Sequence, residues 1–125
     1  MIFITADNLE DTFKTIQKST QSLDKRLAHK VVFICEEIIT NMVTHADFGD
    51  TIPDISLDIK LKEDVELVFK DNAKEFNILK YPQPDITLDV DSRDLGGLGI
   101  YLIKEYAKTI KYSYENGYNI LRIKV

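Results

Sequence analysis

Residues 27–46 read LAHKVVFICEEIITNMVTHA, an apolar stretch of helical period that carries an acid and an amide on one face. Glu37 and Asn41 are four residues apart, and residues at this spacing lie one above the other on a helix. The Asn41 carboxamide offers a hard oxygen of the kind that Mg²⁺ accepts beside phosphate oxygens, and the Glu37 carboxylate can polarise a hydroxyl. The stretch therefore predicts a long helix with a polar site set into its apolar face.

Two more signals follow this helix along the chain. Asp71 ends the apolar run VELVFKD, and the segment GGLGIYLIKEYA, residues 96–107, opens a helix with glycines. Glycines let a backbone approach a ligand closely, and the start of a helix favours bound phosphate. A carboxylate, an amide suited to Mg²⁺ and a glycine-rich helix start together predict a nucleotide-binding site.

The length and the charge of the chain limit the classes of protein to consider. A chain of 125 residues can bury one core, so we expect a single domain over residues 1–125. The net charge of −5 argues against a nucleic-acid partner. The sequence has no apolar run of membrane-span length and no signal-peptide start, and its one cysteine, Cys35, fits a reducing compartment. We therefore expect a cytoplasmic protein that binds neither nucleic acid nor membrane.

Hydrophobic periodicity predicts the element order β-α-α-β-β-loop-α-β-β. Asp7 and Glu10 have the spacing of a capping box at the first helix, and Asn116–Gly117 is a strong hairpin signal. Residues 72–95 carry two prolines and little periodicity, which is typical of a lid or a binding loop. We predict an α+β, two-layer sandwich with the helices on one face of a mixed, mostly antiparallel sheet. The predicted strands cover residues 2–5, 55–61, 65–71 and the two runs that flank residues 116–117, and the predicted helices begin near residues 7, 24 and 97.

With these elements in place, the chain resembles the GHKL ATPase superfamily, which includes histidine kinases, MutL and type II topoisomerases. The family's helix motif, an acid followed by A-[LVI]-T-N-A-[VI]-x-H-A, matches residues 37–46, EIITNMVTHA. Its D-x-G-x-x-F-D segment matches residues 71–77, DNAKEFN, imperfectly, and its G-G-x-G-[LI]-x-L-[IV] segment matches residues 96–103, GGLGIYLI, fully. The chain is most similar to the small anti-sigma-factor serine kinases of bacterial partner-switching systems. The resemblance implies a Bergerat-type ATP-binding fold.

The resemblance also implies a role for each matching residue. Glu37 would be the general base that activates a substrate hydroxyl, and Asn41 would ligate Mg²⁺. Asp71 would accept a hydrogen bond from the amino group of adenine, and Gly97 and Gly99 would let backbone N–H groups approach the phosphates of ATP. The other cofactor-binding candidates in or beside the motifs are Ala73, Phe76, Arg93, Gly96, Leu98 and Ile100.

Two positions depart from the motifs. Ala73 stands where the family has glycine, and its methyl group crowds the adenine edge unless the backbone there has a negative φ. Asn77 replaces the usual aspartate and removes a charge at the entrance of the loop.

Just before the glycines, Arg93 has two interpretations: it reaches the γ-phosphate, or it is a solvated residue of the lid.

The function that the resemblance implies is a protein-serine kinase that uses ATP and Mg²⁺. It would phosphorylate a serine of a small antagonist protein and, when that antagonist is absent or phosphorylated, hold a sigma factor. The alternative is a non-catalytic adapter of the same fold, with or without nucleotide, that sequesters a regulatory protein. Ala73 and Asn77 favour this alternative, and homodimer formation is left open.

Two further residues near the polar pair have plainer interpretations. His45 continues the face of Glu37 and Asn41, but one histidine and one carboxylate make a poor ligand set for a transition metal. We therefore expect His45 to pack or to form a hydrogen bond near the helix end. Cys35 is expected to be a small core residue rather than a nucleophile.

Overall fold

The computed structural model describes residues 1–80 and 95–125, and of residues 95–98 only the backbone. Within these ranges the chain forms three α-helices, two short 3₁₀ turns and five strands. In chain order they are β1 (Ile2–Ile4), a 3₁₀ turn (Ala6–Asn8), α1 (Leu9–Ser19), α2 (Lys25–His45), β2 (Ile55–Leu61), β3 (Val65–Asp71), a second 3₁₀ turn (Ile78–Lys80), α3 (Leu95–Tyr106), β4 (Thr109–Glu115) and β5 (Tyr118–Lys124).

The described strands form one sheet in the order β1-β2-β3-β5-β4. Each neighbouring pair is antiparallel, so the sheet that the sequence predicts as mixed and mostly antiparallel is antiparallel throughout the described residues. β5 lies between β3 and β4, in the interior of the sheet. The α+β class predicted from the sequence is confirmed.

One face of the sheet is apolar because its residues alternate in and out with period two. On β3 this alternation buries Val65, Leu67 and Phe69, and the register sets Leu57 and Leu121 on either side of Phe69. α2 supplies the opposing side of the core, since its apolar residues recur at helical spacing. The fully or almost fully buried residues of α2 are Val31, Ile34, Cys35, Ile38, Ile39 and Met42.

The start of α2 agrees with the sequence, and the start of α1 does not. Asp24 caps α2, where its Oδ2 accepts hydrogen bonds from the backbone N–H groups of Arg26 (3.2 Å) and Leu27 (3.4 Å). The sequence predicts Asp7 as the cap of α1, but Asp7 lies inside the first 3₁₀ turn. The Asn8 side chain instead accepts a hydrogen bond from the backbone N–H of Thr5 at 2.8 Å. The short Asn8 side chain can reach back to this N–H and close the turn. The sequence pattern alone does not indicate whether Asp7 or Asn8 makes this bond.

The predicted hairpin between β4 and β5 is present. Asn116 and Gly117 have φ values of +53° and +82°, as a two-residue turn of the kind favoured by Asn-Gly requires. No helix within residues 1–80 and 95–125 is long and apolar enough to cross a membrane.

Candidate active site

A cavity of about 640 Å³ lies where the second half of α2 meets the end of β3 and the start of β5. Its volume is within the range of about 300–1,000 Å³ that is usual for small-molecule sites. Most of its wall is aliphatic or aromatic, with a few polar groups among them. The lining residues are Ile38, Asn41, Met42, His45, Ala46, Asp47, Phe69, Asp71, Ala73, Lys74, Glu75, Phe76, Ile78, Ile100, Tyr112, Asn119 and Leu121.

Two polar residues interrupt the apolar face of the sheet inside this cavity. Asp71 follows Phe69 on the inward side of β3, and Asn119 precedes Leu121 on the inward side of β5. The strand register sets Asp71 directly opposite Asn119, and each residue is only 7% exposed. Asn119 Nδ2 donates a hydrogen bond to Asp71 Oδ1 at 2.9 Å.

Burial and hydrogen bonding act on Asp71 in opposite directions. Burial raises the pKa of Asp71 above its ordinary value of 3.8, because the charged carboxylate loses its hydration. The hydrogen bonds from Asn119 and from the Ala73 N–H stabilise the charged form and lower the pKa, but burial is the larger effect. Both of these donors reach Oδ1 (2.9 and 3.0 Å). Among the described residues, Oδ2 receives no hydrogen bond and is free to accept one from a ligand.

Asn119 is a site residue that the motif comparison missed. Its Nδ2 also donates to the carbonyl oxygens of Ala73 (3.3 Å) and Lys74 (3.0 Å), and its Oδ1 accepts from the Phe76 N–H (2.9 Å) and the Tyr112 hydroxyl (2.5 Å). The sequence did carry a signal for it. In YNILRIKV, period two places Asn119 on the same face as the buried Leu121 and Ile123, where a polar residue needs a partner.

The segment after Asp71 follows the rim of the cavity and is held at several points. The Asn72 side chain accepts from the Asp54 N–H (2.7 Å) and donates to the Ile52 carbonyl (2.9 Å). Lys74 donates its backbone N–H to the Asp47 carbonyl (2.8 Å), and its ammonium lies 3.1 Å from the Asp47 carboxylate. This ion pair is exposed, so it adds little stability. The segment is therefore fixed mainly by backbone and carboxamide hydrogen bonds.

The two departures from the family motif fit this geometry. Ala73 is 3% exposed, and the only described non-glycine residue with a positive φ is Asn116, so Ala73 adopts its backbone conformation without strain. Asn77 accepts a hydrogen bond from the Leu79 N–H at 2.9 Å, which caps the second 3₁₀ turn. An aspartate at 77 can make the same bond, so the described contacts of Asn77 do not depend on the lost charge.

α2 presents the predicted general base, Glu37, and the predicted Mg²⁺ ligand, Asn41, beside the cavity. Asn41 is half-buried and contributes to the cavity wall. Glu37, one turn earlier, is also half-buried but is not a wall residue; its carboxylate lies against Gly99 of α3. Asn41, Asp71, Ala73, Phe76 and Ile100 are thus the predicted residues that the structure brings to one cavity.

The remaining predicted residues lie before or within α3. Gly96, Gly97 and Leu98 are in its first turn, because α3 begins at Leu95, two residues earlier than the predicted start at Gly97. Gly99 is buried, and its position against Glu37 puts the start of α3 next to the polar pair. Arg93 and most of the predicted lid, residues 81–94, lie outside the described residues.

The donor set in the cavity suits a phosphate-bound magnesium ion better than a protein-caged metal. Within residues 1–80 and 95–125, no group of three or more histidine, cysteine or carboxylate side chains comes together as a metal site. Mg²⁺ commonly takes only one or two protein oxygens and completes its shell with water and substrate phosphate. The half-buried Asn41 carboxamide suits such an ion. The Asp71 carboxylate can accept a hydrogen bond from a nucleobase that carries an amino group.

His45 and Cys35 lie in different surroundings. His45 is exposed at the end of α2 and forms part of the cavity rim. Cys35 is fully buried in the core, and burial together with the nearby Glu36 raises the pKa of its thiol. A buried neutral thiol is a poor nucleophile, so Cys35 serves as a core residue.

Comparisons with known proteins identify the family of the chain. The chain matches the histidine kinase-like ATPase domain over residues 5–125. It is similar to the serine-protein kinase RsbW of Listeria monocytogenes serovar 1/2a, at 30% identity over 93 residues, which cover 70% of this chain and 59% of the relative. It is also similar to the serine-protein kinase RsbW of Listeria innocua serovar 6a, at 29% identity with the same coverage. The chain spans about three fifths of the length of the curated relatives it matches.

Proposed function

Since the chain belongs to the histidine kinase-like ATPase family, we propose that it binds ATP with Mg²⁺ and phosphorylates a serine of a protein substrate. The observation that carries the proposal is the cavity in which a buried, hydrogen-bonded Asp71 lies with Asn41 in one wall, one helical turn from Glu37. The likeness to two serine-protein kinases supports serine as the acceptor.

Adenine recognition is assigned to the buried end of the cavity. Asp71 Oδ2 is an acceptor, and adenine offers an exocyclic amino group there, whereas guanine offers a carbonyl oxygen. The aliphatic and aromatic walls, which include Phe69, Ile78 and Leu121, suit the flat faces of a purine. If GTP binds, the buried Asp71 Oδ2 faces the guanine carbonyl and has no hydrogen-bond donor. The free-energy cost of this unpaired acceptor gives the preference for ATP over GTP.

The transfer step uses the residues of α2. Bound Mg²⁺ neutralises phosphate charge, and Asn41 is the side chain that would ligate it. Glu37 takes the proton of the serine hydroxyl as the serine oxygen bonds to the γ-phosphorus and ADP leaves. The position of Glu37 against Gly99 holds the carboxylate at the junction of α2 and α3.

The proposed physiological role is that of an anti-sigma factor in a partner-switching system. The substrate would be a small antagonist protein, and the chain would hold a sigma factor when the antagonist is absent or phosphorylated. This role is supported by the resemblance to the anti-sigma-factor serine kinases in the motifs of residues 37–46 and 96–103. A non-catalytic adapter remains the alternative, although Ala73 and Asn77 are both accommodated by the described backbone.

One assay tests the proposal and separates it from the adapter. The chain is incubated with labelled ATP, Mg²⁺ and candidate antagonists encoded by neighbouring genes, and phosphoserine is measured on the antagonist. Transfer that needs both Mg²⁺ and this chain supports a kinase. An antagonist that forms a stable complex with the chain and acquires no label, while the chain still binds ATP, identifies an adapter. Undetectable ATP binding at millimolar nucleotide with Mg²⁺ present contradicts the nucleotide site itself.

A further inference from the structure

Among the described residues of the cavity wall, Asn119 is the side chain that makes the most hydrogen bonds. Its Nδ2 faces three acceptors, Asp71 Oδ1 and the carbonyl oxygens of Ala73 and Lys74, at 2.9–3.3 Å. Its Oδ1 faces two donors, the Phe76 N–H and the Tyr112 hydroxyl. Acceptors on one side and donors on the other fix the orientation of the carboxamide.

The donor and acceptor atoms of the Asn119 side chain are all used within the protein, so its effect on a ligand would act through its neighbour Asp71. Both protons of Nδ2 are engaged, and Oδ1 already accepts two hydrogen bonds. One of those Nδ2 bonds holds Asp71 Oδ1, which also accepts from the Ala73 N–H. The carboxylate is therefore held by one oxygen, and its other oxygen, Oδ2, is the one left for a ligand.

We propose that Asn119 is a positioning residue that sets the base preference of the nucleotide site by fixing the orientation of the Asp71 carboxylate. This inference rests on the proposed function, because it assigns to Asn119 the preference for a base with an amino group. The same side chain ties β3, β4 and β5 to the segment 73–76. It thereby holds the rim of the cavity and the acceptor within it in one arrangement.

The discriminating measurement is the ratio of dissociation constants for ITP and ATP, since ITP carries a carbonyl oxygen where ATP carries the amino group. In Asn119→Asp the new carboxylate still accepts from the Phe76 N–H and the Tyr112 hydroxyl but no longer donates to Asp71. We expect the ITP-to-ATP ratio to fall at least about tenfold toward one, which is the scale of a lost hydrogen bond to a charged group. A variant that keeps the wild-type ratio overturns the inference.

Asn72→Asp is the matched control, because it makes the same chemical change at the residue next to Asp71. Within residues 1–80 and 95–125, the Asn72 carboxamide forms hydrogen bonds only with Ile52 and Asp54, in the loop before β2. Its replacement should reduce stability and leave the ITP-to-ATP ratio unchanged. A fall in the ratio in both variants would mean that added negative charge, and not the lost donor of Asn119, alters the preference, and this result would also overturn the inference.

A second measurement needs no nucleotide and uses Asn119→Leu, which has a similar shape and removes both the donor and the acceptor. The pKa of Asp71 is followed by the carbon shift of its carboxyl group. Loss of the Asn119 donor should raise this pKa above that of the wild type, since the hydrogen bond stabilises the charged form. An unchanged Asp71 pKa in Asn119→Leu shows that Asn119 does not hold the carboxylate, and this result overturns the inference.

The two arms separate this inference from the proposed function. If the wild-type chain binds ATP no better than ITP, adenine recognition by Asp71 fails, and the Asn119 inference fails with it. If the wild-type chain prefers ATP and Asn119→Asp keeps that preference, the proposed function stands and only the role of Asn119 is lost.

Discussion

Gly99 of α3 packs directly on the carboxylate of Glu37. A Cβ at Gly99 would lie 2.5 Å from Glu37 Oε2, closer than Cβ atoms in folded proteins approach other atoms, and 3.3 Å from Glu37 Cδ, which is a tight contact. Gly99 has no positive φ, so the backbone conformation does not require glycine. The requirement is space, and the group that fills this space is the proposed general base.

Gly99→Ala should therefore impair phosphoryl transfer and leave the fold intact. The new methyl group displaces the end of a flexible side chain, and alanine favours a helix over glycine by up to about 1 kcal/mol. We expect unchanged or slightly higher thermal stability and a transfer rate at saturating ATP that is lower by about 10²-fold, the scale of a misplaced catalytic group. Wild-type transfer in this variant would show that Glu37 leaves Gly99 during the reaction.

Gly117→Ala is the control for this change. Gly117 has a φ of +82° and no atom within 4 Å of an added Cβ, so alanine there meets backbone strain without a steric contact. We expect a loss of about 1–2 kcal/mol in the free energy of unfolding. Transfer by the folded protein should be normal.

Glu37→Gln should separate binding from chemistry. Glutamine keeps the shape of the side chain and cannot take a proton from serine, so we expect ATP affinity to persist while transfer falls by about 10²–10⁴-fold. Glu36→Gln is the matched control, because Glu36 is the adjacent acid and lies about 100° round the helix. Equal phosphorylation by the Glu37 variant would remove Glu37 from the role of base.

Asn41→Ala should remove the effect of Mg²⁺ on nucleotide binding. The carboxamide is the metal ligand proposed on the cavity wall, so titration calorimetry with and without Mg²⁺ should give the same ATP affinity in the variant and different affinities in the wild type. Thr40→Ala, at the exposed neighbouring position, should behave as the wild type does. A Mg²⁺ effect that survives in Asn41→Ala places the metal elsewhere.

Asp71→Asn should weaken ATP binding and change the dependence of stability on pH. In this variant the amide oxygen can accept the hydrogen bonds from Asn119 and Ala73 only if the NH₂ group points toward the adenine. The adenine amino group is also a donor, so the two groups cannot form a hydrogen bond. We expect ATP affinity to fall at least about tenfold. An ATP affinity equal to that of the wild type would exclude Asp71 as the group that recognises adenine.

The pH effect follows from the raised pKa of Asp71. As pH rises above 3.8, the unfolded state releases its proton first, so the wild type loses stability until pH passes the folded-state pKa. The stability of Asp71→Asn minus that of the wild type should therefore increase with pH over this window and then level off. Asp64→Asn should show the opposite sign below pH 3.8, because Lys108 lowers the pKa of Asp64 and the wild type gains stability as that carboxylate ionises.

Much of this architecture could be predicted from the sequence, because the pattern of each element has a local cause. The period-two runs of β2 and β3 fall on residues 55–61 and 65–71 as predicted, and Asn116–Gly117 forms the predicted turn. The start of α1 could not be predicted, since Asp7 and Asn8 both suit a cap and the choice between them depends on how the chain leaves β1. The start of α3 was misplaced by two residues because glycine gives a weak signal for a boundary inside a helix.

The sequence predicts several residues of the candidate site, but it does not predict the contacts that join them. The motifs of the α2 helix and of the end of β3 indicated Asn41 and Asp71, which contribute to one cavity. Asn119 lies 48 positions after Asp71 and comes to it only through the pairing of β3 with β5. The contact of Gly99 with Glu37 likewise depends on how α3 packs on α2, which no local pattern specifies.

The interior position of β5 has a consequence for how the chain reaches a working state. Asp71 and Asn119 meet only when β5, the last strand in the sequence, pairs with β3. A partly assembled sheet that lacks this pairing therefore lacks the proposed adenine-binding group. Nucleotide would then bind the finished fold alone and stabilise it by mass action, by about 2.7 kcal/mol when its concentration is a hundred times the dissociation constant. The cellular supply of ATP would thus act on the abundance of the folded protein as well as on its chemistry.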